Sequence, residues 1–582
     1  MVSQAVGLPD RWLTDWERSE RMPFYTRANA GEVLADPASP LGWTLVFEKG
    51  LLPGWLRGLV EFGIYREGEL PMERPPVAGL FGGYFYINLS HCRVVAIRMG
   101  MTVEAFDAAL LGSAAAAPPY QPHPDDPCPQ CSAKVAQTIG EMLAASQFPQ
   151  IEADLDRVLA SRRGRPDLAA LSAAELVAHA RSFLPELDTA FARHDYSTFG
   201  SAVGPAMLAE ACAAAGQPEA LLDLISGYGD VPSASPSWGL WQLSRLANAS
   251  PELGELFDQG LAAVSVALSS AAQPAVVKFA EALDGFLADF GQRGPNEWDI
   301  RAISWEAGPG QVLALVDSMR HIPDEESPDA RHARLEATRT AAAERVRAAL
   351  PDHASRSSFD VALQSCARTI PLREKTKLIA VTTINEVRLA MRELGRRGVA
   401  AGYYAAPEDV MMLLDSELDD YVADPARFAP VIAERLVQYL ALFEIEPPFI
   451  IDADPAPLPS WPRRARPRPD PVAAGEVLRG IGGSAGQYQG VARVGMDLPA
   501  AMALEPGEIL IAPLTDAAWT PLFLVAGAVV VDVGALNSHA VVVSRELGIP
   551  CVLSLPDATA RLRDGMVLAV DGTAGTVTVV SG

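Results

Sequence analysis

Cysteine and histidine are scarce in this chain, six and eight in 582 residues. So few thiols over that length do not form the dense framework of a small disulfide-stapled domain. The single CxxC, Cys128 and Cys131 in HPDDPCPQC, has His123 just upstream. A structural zinc site takes four ligands at regular spacing, and no second CxxC follows, so no metal site is expected and the stretch reads as a proline-rich surface loop. Basic residues are also short, 47 against 72 acidic ones, a net charge of −25. Non-specific nucleic-acid binding runs on Lys and Arg neutralising phosphates, so no nucleic-acid partner is expected. No apolar run approaches the roughly 18 uncharged residues of a membrane span. The N-terminal MVSQAVGLPDRW lacks a basic segment followed by an apolar one, so a cytoplasmic protein without membrane contact is expected. There is no GxxxxGK[ST] loop and no glycine-rich phosphate cradle, and therefore no cofactor bound by this chain is expected.

What is present can fill several cores, since 49% of the residues are hydrophobic and only 20% charged. The clearest boundary is SWPRRARPRPDPVAAG, Ser460 to Gly475, where repeated prolines predict an extended linker. Upstream, apolar residues recur at helical spacing. From Leu171 to His194 they are Leu176, Ala180, Phe183, Leu184, Leu187 and Phe191, with Ser172 and Glu175 as a capping box and Pro185 kinking or splitting the helix. Similar patterns run over 253–290, 330–350, 371–394 and 425–443. The first 110 residues mix Trp, Tyr, Pro and Gly with strand-like pieces such as GGYFYINLS. Downstream of the linker, EILIAP, AVVVDV, CVLSL, MVLAVD and TVTVV are short β-branched runs, interrupted by one helix from Ser538 to Leu547 that Gly548 and Pro550 end. The predicted fold is multidomain α+β. Residues 1–120 form a mixed α/β part, 121–459 a mainly helical domain, 460–474 the linker and 475–582 a small β/α domain.

The Ser538–Leu547 helix opens with GALNSHAVVVSRELGIP. Gly534 permits a sharp turn out of AVVVDV, Asn537 or Ser538 can cap the helix, and His539 falls in its first turn. Orphan amides and the positive end of the helix dipole favour an anion there, and a neutral imidazole is a competent nucleophile near neutral pH. A lone histidine in such a place is more often a capping or core residue, so the motif around it has to decide. Arg545, six residues on, could reach a phosphate or equally pair with Glu546 or solvent; Thr515 and Asp516 sit at a strand end near the site or simply make a turn.

GALNSHAVVVSRELGIPCVLS resembles the phosphohistidine signature of the phosphoenolpyruvate-utilising enzymes. TDAAWTPLF, the opening GIGGSAGQYQGVARV and the closing DGMVLAVDGTAGTVTVV resemble the same domain. Ala535 and Ser544 depart from the usual Gly and Ala. The resemblance implies a swivelling phosphohistidine domain from Gly475 onward, with His539 as the carrier. TRANAGEVLADPASPLGWT, DVPSASPSWGLWQLSRL, FLADFGQRGPNEWD and the REKTK segment at Arg373 resemble the acceptor-binding domain of one branch, the rifampicin phosphotransferases. No ATP-grasp domain is evident in these residues and no PEP-type barrel is expected. The resemblance also extends to the histidine-bearing subunit of two-subunit phenylphosphate synthases, which implies ATP and Mg on a separate ATP-grasp kinase partner. The implied activity is a cytoplasmic phosphotransferase component that delivers phosphate from His539 to a hydroxyl of a small-molecule acceptor. The alternative is a repurposed enzyme using His539 as general acid or base in an elimination, isomerisation or cyclisation of a substrate that could itself carry phosphate.

A second cluster lies at PLREKTK. Pro371 suits the first position of a helix ending at Gly395, which puts Arg373, Lys375 and Lys377 in its first two turns, where cations oppose the dipole and invite an anion. A solvated charged face is the plain alternative. The resemblance implies that Arg373 and Lys377 steady a phosphate while Glu374 deprotonates or orients the acceptor hydroxyl; Ser538 and Arg545, by their place on the His539 helix, are further candidate phosphate contacts. His194 and Trp238, Trp241, Trp298 and Trp305 could line an acceptor pocket, although packing is the default for such residues.

Overall fold

A computed structural model describes residues 7–111, 117–229, 231–270, 273–464, 470–535 and 538–581. The protein is multidomain α+β, as expected. Its residues fall into two compact units that interleave along the chain. One comprises 1–200, 296–302 and 376–467; the other 201–295, 303–375 and 468–582. Residues 465–469 of the expected linker lie outside the described residues.

The first unit holds a four-stranded antiparallel sheet of β1 (Tyr25–Thr26), β2 (Ala78–Phe81), β3 (Tyr84–Asn88) and β4 (Ile450–Ile451), in the order β2-β3-β1-β4. GGYFYINLS therefore does contain a strand. Aromatic rings fill the space beneath it, with Trp43 stacked on Phe47 and edge-on to Trp16. The CxxC reading needs correction. Cys128 and Cys131 are joined in a disulfide, both are buried, and they open a helix, Pro129–Ala144, where a surface loop was expected. Pro129 takes the first helical turn, where a missing N–H costs nothing, and the Cys128 Sγ accepts the Cys131 N–H at 3.2 Å.

The capping box at Ser172 and Glu175 forms as expected. The helix it starts ends at Ser182, and a second, Leu184–Ala214, begins beside Pro185. The 253–290 stretch divides into Pro251–Asp258, Leu261–Ser270 and Pro274–Phe290. A larger difference concerns Pro371, which lies inside a single helix running from His353 to Ala400. Its missing N–H removes one helical hydrogen bond, but buried Phe359, Ala362, Cys366 and Leu372 hold the turns on either side in place. Arg373, Lys375 and Lys377 are consequently mid-helix, and no dipole argument applies to them. Gly395 is also internal; a Cβ there would lie 1.9 Å from the Pro407 carbonyl oxygen, so it serves a close approach and not a helix end.

The second unit contains β5 (Val477–Arg479), β6 (Ile481–Ser484), β7 (Gln487–Val494), β8 (Ile509–Ala512), β9 (Ala528–Val531), β10 (Cys551–Leu553), β11 (Val567–Asp571) and β12 (Thr576–Ser581), in the order β5-β12-β11-β7-β8-β9-β10-β6. Strands β7 to β10 run parallel, and the flanking pairs are antiparallel. Alternate side chains of the parallel strands enter two different cores. Ile509, Ile511, Ala528, Val530 and Val552 face the antiparallel strands. Leu510, Ala512, Val529, Val531, Cys551 and Leu553 join a core that continues through Val541 and Val543 into the helices at Pro236–Asn248, Pro274–Phe290 and Gly310–Arg320. Burial on both faces explains why these strands read as unbroken apolar runs.

Candidate functional site

The site sits where two adjacent parallel strands end. β8 leads into Thr515 and the short helix Thr520–Val525, and β9 leads into the helix His539–Leu547. In parallel sheets the carboxyl ends of strands gather the loops that carry chemistry. His539 is the first helical residue, and Ser538 precedes it at the cap position with extended backbone, φ −67° and ψ 160°. The Ser538 side chain makes no capping bond; its Oγ is buried and has no partner among the described residues. Asn537, the other expected cap, lies outside the described residues. Gly534 has no positive φ, and its smallness instead spares a contact with Leu553, whose Cβ would lie 3.2 Å from a Cβ at this position.

Both ring nitrogens of His539 meet threonine hydroxyls. Thr515 Oγ1 lies 3.2 Å from Nδ1 and Thr520 Oγ1 lies 2.9 Å from Nε2, while the Phe523 ring stands edge-on at 5.9 Å between centroids. Thr520 also donates to the Ser233 carbonyl at 3.3 Å. The Ser233 hydroxyl in turn donates to Glu374 Oε2 in a short hydrogen bond, and Arg373 Nη1 donates to Glu374 Oε1 at 2.8 Å. A chain of direct contacts thus links the imidazole to a buried carboxylate that is 3% exposed and held by a hydroxyl and a guanidinium. His539, Arg373 and Glu374 belong to one polar network, joined by Thr520 and Ser233.

The remaining expected site residues make contacts of their own. Lys377 pairs with Glu297 at 3.1 Å. The Arg545 side chain is buried and its Nε donates to the Gly483 carbonyl at 2.8 Å, so this contact turns it towards β6. Burial draws that guanidinium down to about 10. Its neighbour Glu546 accepts backbone N–H bonds from Tyr228 at 3.1 Å and Gly229 at 2.8 Å, and Gly227 donates to the Arg545 carbonyl at 3.2 Å. Burial pushes the Glu546 carboxyl above its ordinary range, against the pull of those two amides. Arg339 closes the arrangement, donating to the Ser226 and Gly227 carbonyls and lying over the Tyr228 ring.

His194 places Nδ1 3.1 Å from Thr376 Oγ1, with Phe191 and Trp298 against its ring. Trp305 is fully buried core, Trp238 donates to Asp329 and Trp241 carries Arg245 over its ring, so packing and pairing account for these three. Among the described residues no group of three or more His, Cys, Asp or Glu side chains could hold a metal ion, and no single helix is long and apolar enough to cross a membrane. Sequence reasoning missed Thr520 and Ser233, and it named Glu546 only as a partner for Arg545. Thr520 and Ser233 lie inside motifs already quoted, TDAAWTPLF and DVPSASPSW, but their meeting is a long-range contact that neither motif encodes.

Residues 504–575 match the family model of the PEP-utilising enzyme mobile domain, and residues 194–374 match that of the rifampicin phosphotransferase fourth domain. The resemblance to the PEP-utilising enzymes stands. The first match contains Thr515, Thr520 and His539; the second contains Ser233 and ends on Glu374. An uncharacterized protein of Mycobacterium tuberculosis is 33% identical over 305 residues, 52% of this chain and 32% of its own. The rifampicin phosphotransferase of Streptomyces sviceus is 30% identical over 309 residues, 52% of this chain and 34% of that enzyme. The prodigiosin synthesizing transferase PigC of Serratia marcescens is 30% identical over 353 residues, 59% of this chain and 38% of PigC. The chain spans about a third of the length of these curated relatives.

Proposed function

We propose that this chain is a phosphotransferase component that carries phosphate on His539 and delivers it to a hydroxyl of a small organic acceptor. The observation that carries the reading is the placement of His539 at a helix start, one threonine and one serine away from the buried carboxylate of Glu374. The similarity to a mobile domain of PEP-utilising enzymes and to rifampicin phosphotransferases supports the same chemistry.

In the transfer step the acceptor oxygen attacks phosphorus and the N–P bond breaks, its electron pair returning to the ring nitrogen. The hydroxyl proton passes to Glu374, which acts as general base. Arg373, bonded to the other Glu374 oxygen, keeps that carboxylate oriented and offers positive charge to the departing phosphoryl group. Ser538, whose buried hydroxyl has no partner among the described residues, donates to a phosphoryl oxygen on the neighbouring residue. Phosphate reaches His539 from ATP and Mg held by a separate ATP-grasp kinase subunit.

The test is incubation of the full chain with Mg·ATP and an ATP-grasp protein encoded beside it. The expected product is an acid-labile, alkali-stable phosphate on the chain that disappears in His539→Asn. If no such phosphate forms with any donor, and the chain alone converts a phosphorylated substrate without nucleotide, the carrier reading fails and His539 serves as general acid or base instead.

A further inference from the structure

The six cysteines divide into two kinds. Cys92, Cys212, Cys366 and Cys551 are free thiols, and burial pushes them up, Cys212 to about 11 and the other three to about 12. They stay protonated at neutral pH and make poor nucleophiles. Cys128 and Cys131 are instead joined in a disulfide at the start of the 16-residue helix Pro129–Ala144. Cys128 holds the cap position with its sulfur on the Cys131 N–H. A thiolate released there keeps an amide donor and meets the positive end of the helix dipole. Cys128, 9% exposed, is the outer residue of the pair and Cys131, 3% exposed, the inner one. Pro127, Pro129 and Gln130 beside them are exposed.

This cross-link is poorly suited to stapling the fold. Its sequence separation is 3, and so short a ring removes far less freedom from the unfolded chain than a bridge over a long loop. Other bonds already hold the chain before it. Arg98 donates to the carbonyls of Ile64 at 2.7 Å, Asp125 at 2.6 Å and Asp126 at 3.0 Å. The Asp126 carboxylate accepts the Tyr120 hydroxyl at 2.7 Å and the His123 N–H at 2.9 Å. The helix after the pair is anchored by buried Val135 and Met142. Nor do the cysteines belong to a metal site, since no group of three His, Cys, Asp or Glu among the described residues could hold an ion.

We infer that Cys128 and Cys131 form a reversible dithiol–disulfide site that exchanges with thiols through the Cys128 sulfur while the fold around it persists. In the reducing direction a thiolate of a dithiol attacks Cys128 Sγ. The S–S bond breaks and its electron pair goes to Cys131 Sγ, which takes up a proton. The second sulfur of the reductant, as its thiolate, then attacks the first, and Cys128 leaves with the electron pair. Two electrons have passed from the dithiol to the pair, and the reductant departs as a disulfide. A small-molecule disulfide drives the same steps in reverse. The site stands apart from the phosphate chemistry proposed for His539, and neither reading depends on the other.

The test is alkylation of the native full-length chain with iodoacetamide, followed by mass spectrometry of the peptide that carries both cysteines. After treatment with oxidised glutathione the peptide should appear as an internal disulfide. Dithiothreitol should then open it, so that Cys128 and Cys131 are alkylated while Cys212, Cys366 and Cys551 are not. A second exposure to oxidised glutathione should restore the disulfide, with the far-ultraviolet circular dichroism unchanged throughout. A pair that yields to dithiothreitol only in urea is a structural cross-link and overturns the inference, as does a reduced pair that oxidised glutathione cannot close. Single variants identify the exchanging sulfur. Cys131→Ser should capture glutathione as a mixed disulfide at least about tenfold faster than Cys128→Ser, as expected for the outer, amide-held sulfur. Equal rates, or a faster Cys128→Ser, remove Cys128 from that role.

Discussion

The two ends of the nine-residue helix His539–Leu547 are built from opposite materials. At its start the imidazole touches neutral hydroxyls, Thr515 and Thr520, and each such bond has a net worth of about 0.5–1.5 kcal/mol. At its end the buried Arg545 and Glu546 bond to backbone groups of Gly483, Tyr228 and Gly229. Buried charged groups exchange partners reluctantly, because stripping one of its hydrogen bonds leaves an uncompensated charge. On the proposed function, one end would change partners during the reaction cycle, while the other holds the helix against the Ser226–Gly229 turn. Chemistry and attachment are thus separated by two helical turns on a single element.

The sharpest way to test this separation is to disable the reactive end alone. Glu374→Gln should slow delivery to an acceptor by about 10²–10⁴-fold, the usual worth of a general base, in a single-turnover assay starting from phosphorylated chain. Formation of the phosphohistidine should be spared. Equal loss in both half-reactions would mean that Glu374 serves the structure and not the transfer. Next in size is an attack on the holding end. Glu546→Ala strands the amides of Tyr228 and Gly229, and urea unfolding should report a loss of about 1–3 kcal/mol. Hydrogen exchange at those two amides should accelerate, and unchanged protection would contradict the holding role.

The smallest effect is a pH dependence. Burial raises the Glu546 carboxyl above its ordinary 4.5, so the folded protein binds that proton more tightly than the unfolded chain does. The corresponding stabilisation is complete below about pH 4.5 and is lost as the pH rises through the raised value. Wild type minus Glu546→Gln stability should therefore decline on going from acid to neutral pH. A difference that is flat, or rises with pH, would show the two amides outweighing burial.

The sequence made the strands and the His539 helix legible because each is a local signal. β8 to β10 are continuous apolar runs, and Gly548, at φ 67°, ends the helix where a left-handed residue was expected. Pro371 misled for the converse reason. A proline marks a helix start in isolation, yet burial of Leu372 and its neighbours carried the helix through it, and with that the electrostatic argument for Arg373 and Lys377 fell away. Arg373 nevertheless reaches Glu374, whereas Lys377 meets Glu297. Spacing along one helix face placed both cations alike, but Arg373 bonds its neighbour in sequence and Lys377 a residue eighty positions upstream. Ser233 and Thr520, 287 positions apart, could not be paired by inspection of either motif.

The interleaving of the two units bears on how such a chain can be exchanged between relatives. The unit that holds the His539 network is assembled from three stretches, 201–295, 303–375 and 468–582. A single crossover anywhere between Ser233 and Thr520 would combine Thr520 and His539 from one parent with Ser233, or with Ser233 and Glu374, from another. Recombination that preserves the network must replace all three stretches together or none. The natural module for shuffling is thus a set of discontinuous segments, and chimeras cut at the proline-rich boundary would separate residues that have to be inherited jointly.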